Sequence, residues 1–350
     1  MDHDALEATA REVMSPAAYD YVAGGSDDEI TLAENIAAWR RVRLLPHVLN
    51  DVSTVSHWST LLGADMGAPI LIAPMATQRL AHDEGERAMA RGAARTRTVM
   101  VVSTMATFTL EDIAAAAPEG IRWFQFYVHR DRGLSADLVR RAEAAGYGAV
   151  VLTVDVPVLS NRRREAEHHF ELPDGMTVAN LDTSLESHHG SGLAEYTNAA
   201  FDPGITPDDV GWIKSLVDLP VVVKGVLRPD DAVRAVDGGA DAVIVSNHGG
   251  RQMDGAVASA DALPAVADAI GGRVPLLVDG GIRGGNDVLK ALAFGASAVL
   301  VGRPLYWALA AGGEDGVAAY LEEVQTELAR AMALCGVRDL GEIDRSLVAG

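Results

Sequence analysis

From residue 68 onward the chain repeats one pattern eight times: a short, nearly all-apolar run followed by a stretch with helical periodicity. The runs are PILIAP at 69–74, VMVVST at 99–104, RWFQFYV at 122–128, AVVLTVD at 149–155, PVVVKG at 220–225, DAVIVSN at 241–247, PLLVDGG at 275–281 and SAVLVGRP at 297–304. Runs apolar at nearly every position fit strands of a parallel sheet, covered on both faces. The intervening stretches, such as LSADLVRRAEAAG at 134–146, place apolar residues at helical spacing. Strand then helix, eight times, predicts a (β/α)8 TIM barrel, class α/β. A doubly wound sheet could also hold eight strands, but no GxGxxG turn follows the first run, which weakens a dinucleotide-binding alternative.

The barrel is assigned to 68–335 within one domain spanning 1–350, with Asp315 to Cys335 as the eighth helix. Residues 1–67 form an N-terminal extension, with a helix near Leu6 to Gly24 and an irregular stretch after it. Residues 160–209, after the fourth strand, carry polar sequence (LESHHGSG) with little periodicity. A loop this long inside a compact domain is usually an active-site lid or a flap. Its histidines, His168, His169, His188 and His189, read as surface residues and not as ligands.

Charge and composition narrow the function. The 350 residues carry 49 acidic against 29 basic side chains, a net charge of −20, with 49% hydrophobic residues and one cysteine, Cys335. The hydrophobic fraction excludes a disordered chain, and a lone cysteine excludes an internal disulfide. No His or Cys cluster has zinc-like spacing, so no metal is expected. No apolar run approaches the roughly 20 residues a bilayer needs, and the first ten residues are acidic, unlike a signal peptide. A soluble, cytoplasmic protein is expected, with neither nucleic acid nor membrane as partner. An acidic chain repels both, so any anionic ligand must be held by a local cluster of positive groups.

Barrel enzymes place their chemistry at the C-terminal ends of the strands. Those ends are polar here: Gln125 and Tyr127, Thr153 and Asp155, Lys224, Ser246 with Asn247, His248 and Arg251, Asp279 with Arg283, and Arg303. The seventh and eighth strands end in DGGIRGG and GRP, glycine-rich turns that suit phosphate, with Arg283 and Arg303 as its charge partners. Lys224 ends VVVK, where it serves either a Schiff base or the electrostatic stabilisation of an anionic cofactor. His248, in SNHGGRQMD, suits proton abstraction near neutral pH. Arg251 could then hold a carboxylate by paired hydrogen bonds, while Asp155 orients the imidazole.

These segments resemble the FMN-dependent L-2-hydroxy acid oxidases and dehydrogenases, the family of glycolate oxidase, lactate oxidase and the mandelate dehydrogenases. The resemblance runs from YDYVAGG through IAPMATQRLAHDEGE, WFQFYV, LTVDVPV, VVVKGV, SNHGGRQMD and LVDGGIRGGNDV to VGRP. It implies that His248 is the active-site base, that Asp155 pairs with the resulting imidazolium, and that Arg251 and Arg162 bind the substrate carboxylate. Arg162 follows an SN pair whose serine, Ser160, stands where the family has glycine, and the run Arg162 to Arg164 leaves that assignment open by one residue. Tyr21 and Tyr127 match tyrosines that hydrogen-bond the substrate. For FMN, the resemblance implies Lys224 at the flavin edge, with Ser103, Gln125 and Thr153 on the ring and Pro74, Met75 and Ala76 along its face. Ser246, Asp279 and Gly281 join the cofactor set, and Gly302, Arg283 and Arg303 hold its phosphate.

The implied reaction takes an L-2-hydroxy acid to the 2-oxo acid, with O2 as the electron acceptor and hydrogen peroxide as its product. A quinone or protein acceptor is the alternative. Met105 stands where glycolate oxidases carry tryptophan, which points to a roomier pocket and to aromatic or branched substrates, mandelate-like, or lactate. The family also implies a homo-oligomer, a tetramer or octamer.

Overall fold

The computed structural model describes residues 2–168, 170–181 and 192–349. Three helices open the chain: α1 (His3–Val13), α2 (Pro16–Ala23) and α3 (Ile30–Arg41). A hairpin of β1 (Ser59–Leu61) and β2 (Ala64–Met66) follows. The eight apolar runs then become β3 (Ile70–Ile72), β4 (Val99–Ser103), β5 (Arg122–Phe126), β6 (Val150–Thr153), β7 (Val221–Val226), β8 (Ala242–Val245), β9 (Leu276–Val278) and β10 (Ala298–Val301). They pair in parallel, in sequence order, and β10 closes on β3. The (β/α)8 barrel read from the sequence is therefore the fold.

Outside it lie α4 (Gly85–Arg95), α5 (Leu110–Ala116), α6 (Arg132–Ala144), α7 (Arg163–Glu167), α8 (Gly192–Ala200), α9 (Asp208–Lys214), α10 (Pro229–Asp237), α11 (Ser259–Ile270), α12 (Gly285–Ala293) and α13 (Arg303–Leu334). No helix among the described residues is long and apolar enough to cross a membrane.

Several boundaries differ from the sequence reading, each for a physical reason. The helix expected over 6–24 is two, because Ser15 caps a new start with Pro16 at its first position. The stretch expected to be irregular holds α3 and the hairpin, whose short strands give periodicity little to work on. The helix expected over Asp315 to Cys335 is present, and a further helical segment from Arg303 precedes it in α13, the two separated where Gly312 and Gly313 leave helical geometry. The long loop carries α7, α8 and the start of α9. His168 sits at the surface and its Nε2 lies 2.7 Å from Asp20; His169, His188 and His189 lie outside the described residues.

The core has two parts. Helices pack on the outer face of the barrel strands. Within the barrel, Leu71, Val99, Val101, Trp123, Val151, Val222, Ile244 and Leu277 fill the interior, and Leu61 and Met66 of the hairpin join them at the N-terminal end. That end is closed, so any chamber must open at the other.

Candidate active site

Strand periodicity carries the interior from apolar to polar. Side chains two apart on a strand share a face, so the residues two steps beyond Val101, Trp123, Val151, Val222, Ile244 and Leu277 also point inward: Ser103, Gln125, Thr153, Lys224, Ser246 and Asp279. All six are buried. Gln125 ties three strands together, accepting from Ser103 Oγ at 3.2 Å and donating to Thr153 Oγ1 at 3.0 Å. This floor presents fixed amide and hydroxyl groups to a cavity of about 1340 Å3, its open mouth included.

Lys224 Nζ lies 3.0 Å from Asp279 Oδ2 and donates to Ser246 Oγ at 3.0 Å. Burial alone would strip its proton, but Asp279 and Asp155 more than offset this and raise its pKa. A Schiff-base lysine needs the opposite shift, so the geometry favours a fixed positive charge. Asp279 Oδ1 is buried with no partner.

His248 follows β8 in left-handed backbone, φ 59°, with its N–H donating to Ser246 Oγ at 3.0 Å. Its Nδ1 lies 2.9 Å from Asp155 Oδ1. Burial lowers the imidazole pKa despite the carboxylate, with Lys224 and Arg162 adding to the effect. Asp155 is pushed up by burial but held below its ordinary value by His248 and Lys224. The pair is therefore a neutral imidazole on an ionised carboxylate. Nδ1–H donates to Asp155, which leaves the Nε2 lone pair to accept a proton.

Three guanidinium groups crowd the rim. Arg251 donates to Tyr21 O at 2.7 Å and Gly24 O at 3.0 Å and sits 5.3 Å over the Tyr21 ring. Arg303 donates to Val22 O, Gly249 O and Gly24 O at 2.8 to 2.9 Å. Arg283 bonds Ile282 O at 3.1 Å. Burial, then the neighbouring cations, lowers Arg251 to about 10 and Arg303 to about 9. These hydrogen bonds go to backbone carbonyls rather than carboxylates, so an arriving anion supplies the missing opposite charge.

Of the consecutive arginines, Arg162 lines the cavity, its Nε buried without a partner. Arg163 and Arg164 turn away to Asp28 and Glu29. Tyr21 stacks on Phe170 and Tyr127 on Phe201, each at 4.4 Å between centroids, and burial raises both phenol pKa values.

Most of the expected residues meet in this one chamber: Tyr21, Pro74, Met75, Ala76, Ser103, Gln125, Tyr127, Thr153, Arg162, Lys224, His248, Arg251, Asp279, Gly281, Arg283, Gly302 and Arg303 line it. Asp155 and Ser246 stand behind the wall and reach the chamber through His248 and Lys224. Sequence reasoning missed Asn35 of α3 and Phe201 at the end of the long loop, which also line it. The helical spacing of ITLAENIAAWRR could have disclosed α3, but no local signal marks Phe201.

The chamber suits FMN. The orphaned Asp279 Oδ1 matches a ribityl hydroxyl, and Gln125 with its neighbours offers donors and acceptors to a heterocycle. Gly302 opens α13 without a side-chain cap, so that helix N-terminus and the buried arginines suit a phosphate. Fold and chamber together define a class, a barrel oxidoreductase that takes a phosphorylated flavin and a carboxylate substrate side by side.

Comparison with known proteins gives the family. Residues 10–350 match the FMN-dependent dehydrogenase family. The chain is 49% identical to an L-lactate oxidase of Nostoc sp. (98% of this chain, 96% of that protein) and 44% identical to the glycolate oxidase of Spinacia oleracea (98% and 94%). A solved structure of mandelate oxidase with (S)-4-hydroxymandelic acid superposes with a TM-score of 0.95 at 44% identity, covering 99% of this chain and 98% of that one. The chain belongs to the FMN-dependent dehydrogenase family. Its cofactor is FMN and its reaction is the oxidation of a 2-hydroxy acid. The oxidase names of these relatives do not favour a quinone or protein acceptor.

Proposed function

We propose that the chain oxidises an L-2-hydroxy acid with an apolar tail to its 2-oxo acid, with O2 as the final acceptor. The observation that carries this reading is His248, its Nδ1 2.9 Å from Asp155 Oδ1, in the same chamber as Arg251 and Arg162. Oxidation of the α-carbon removes two electrons and two protons from the substrate. FMN, when bound, supplies the two-electron acceptor.

Arg251 and Arg162 hold the carboxylate, which relieves the mutual repulsion of their buried charges. Tyr21 and Tyr127, kept protonated by burial, donate hydrogen bonds to substrate oxygens. His248 Nε2 takes one proton, and Asp155 stabilises the imidazolium that forms. Lys224 provides fixed positive charge beside the cofactor, where a reduced ring would gain negative charge, and Arg283, Arg303 and Gly302 hold the phosphate. The two electrons and two protons finally convert O2 to hydrogen peroxide.

Met105, Val156, Leu159 and Phe201 give the cavity an apolar side, which supports an aromatic or branched tail. Exposed Leu45, Val48, Leu49 and Trp58 support association into a homo-oligomer. Anaerobic mixing with glycolate, L-lactate and L-mandelate tests the function. Flavin bleaching should be fastest with L-mandelate, and readmitted oxygen should restore the colour with one peroxide per turnover. Fastest bleaching by glycolate would remove the substrate reading, and slow reoxidation without peroxide would remove the acceptor.

A further inference from the structure

Helix α3 lies far in sequence from β8 and β9, yet it touches the loops that follow both of them and form part of the chamber. A Cβ on Gly250 would fall 2.6 Å from Leu32 N, and one on Gly281 would fall 2.0 Å from Asn35 O. Both glycines have positive φ, +75° and +79°. Glycine at these two positions is what lets the helix backbone lie directly against both loops.

Between those contacts sits Asn35, 2% exposed. Its Nδ2 donates to Asn247 Oδ1 at 2.9 Å, and Asn247 Nδ2 donates back to Asn35 Oδ1 at 2.8 Å. Asn247 Oδ1 also accepts from Gly250 N at 3.1 Å, and its Nδ2 donates to Val257 O at 3.1 Å. These bonds fix which way the Asn247 amide faces. One turn further on, Trp39 Nε1 donates to Gly280 O at 2.8 Å. One face of α3 therefore bonds the loop that carries His248 and Arg251 and also the loop that runs from Asp279 to Arg283.

We propose that Asn35 is a positioning residue that holds the substrate loop and the cofactor loop in a fixed relation, with Trp39 fixing the cofactor loop alone. The inference rests on the reading that His248 and Arg251 handle the substrate. Its chemical basis is the two-way amide pair. A carboxylate at position 35 can accept from Asn247 but cannot donate, so it sets two buried oxygens against each other. Asn247 cannot turn over to relieve this without giving up Gly250 N and Val257 O.

The test uses Asn35→Asp and Trp39→Phe in the full chain. Deflavinated protein is titrated with FMN by fluorescence quenching. Benzoylformate binding is then measured at saturating FMN from the flavin absorbance. Asn35→Asp should weaken both by about 10-fold or more, while Trp39→Phe should weaken FMN alone, by about 5-fold. If Asn35→Asp folds and both affinities stay within about twofold of the parent, or only one falls, the proposal is overturned; a lower melting temperature alone also overturns it. Should Asn35→Asp not fold, Asn35→Ser, which keeps an acceptor but lacks the amide donor, takes the same measurements and the same criteria. If the parent protein binds no benzoylformate, the functional reading fails instead, so the two failures are separable.

Discussion

The two ends of the barrel are built from the same strands and behave as opposites. At the N-terminal end, Leu71, Val99, Trp123 and Ile244 meet the hairpin residues Leu61 and Met66 in an apolar plug. At the C-terminal end, further along the strands, the same inward face presents Ser103, Gln125, Lys224 and Asp279. The plug leaves few polar groups to satisfy. The rim holds the buried, unpartnered Asp279 Oδ1, Asp155 Oδ2 and Arg162 Nε and a histidine in left-handed backbone. A single period-2 pattern thus yields a stable base and a reactive rim, and each can be perturbed without the other.

The largest separation is expected from His248→Asn. Loss of the base should lower kcat by about 10^2 to 10^4-fold, with FMN affinity and thermal stability close to the parent. In the parent, kcat/KM should be flat from neutral pH up to the range, about 9 to 10, where Arg303 and Arg251 would lose their charge. It should fall as pH drops, because protonated His248 cannot accept a second proton. Burial sets the midpoint below the ordinary imidazole value of 6.5; a midpoint well above it would contradict the neutral, buried base.

Lys224→Met comes next. It strands Asp279 as a buried carboxylate without its cation, which should cost about 3–5 kcal/mol in the apoprotein and weaken FMN, read by denaturation and by flavin titration. Leu71→Ala, in the plug, should cost about 2–5 kcal/mol of stability while leaving KM and the pH profile unchanged. A shifted KM there would break the independence of the two ends. The smallest effect is expected from Arg251→Lys, which keeps the charge but loses the fork. KM for the hydroxy acid should rise about 10 to 100-fold, as for loss of a hydrogen bond to a charged group, with FMN binding retained.

The barrel was legible in the sequence because strands covered on both faces are nearly all apolar, and the rim because the polar residues cluster at the C-terminal strand ends, where barrel enzymes place their chemistry. SNHGGRQMD, DGGIRGG and GRP added the chemistry. The apolar runs mark the strand centres but overrun their ends: β5 stops at Phe126 and β8 at Val245, while Val128 and Asn247 continue the pattern beyond the ladder. What the sequence concealed depends on distant contacts. Asn35 meets Asn247 across 212 positions and Trp39 meets Gly280 across 241, and nothing in ITLAENIAAWRR announces either partner. Phe201 reaches Tyr127 in the same way. The segment from Arg303 to Ala311 ahead of the eighth helix is the part that VGRP and its short apolar continuation did not disclose.

The seating of α3 on two distant loops also has a consequence in time. A ribosome adding about 5–20 residues per second releases Trp39 long before Gly280, by about 10 to 50 seconds. For that interval the Trp39 indole lacks the Gly280 carbonyl that it bonds in the folded chain, and the chamber is incomplete. Flavin capture therefore waits until the strand bearing Asp279 has been made and has swung back to meet a helix 241 positions earlier in the chain, as the Trp39–Gly280 contact requires.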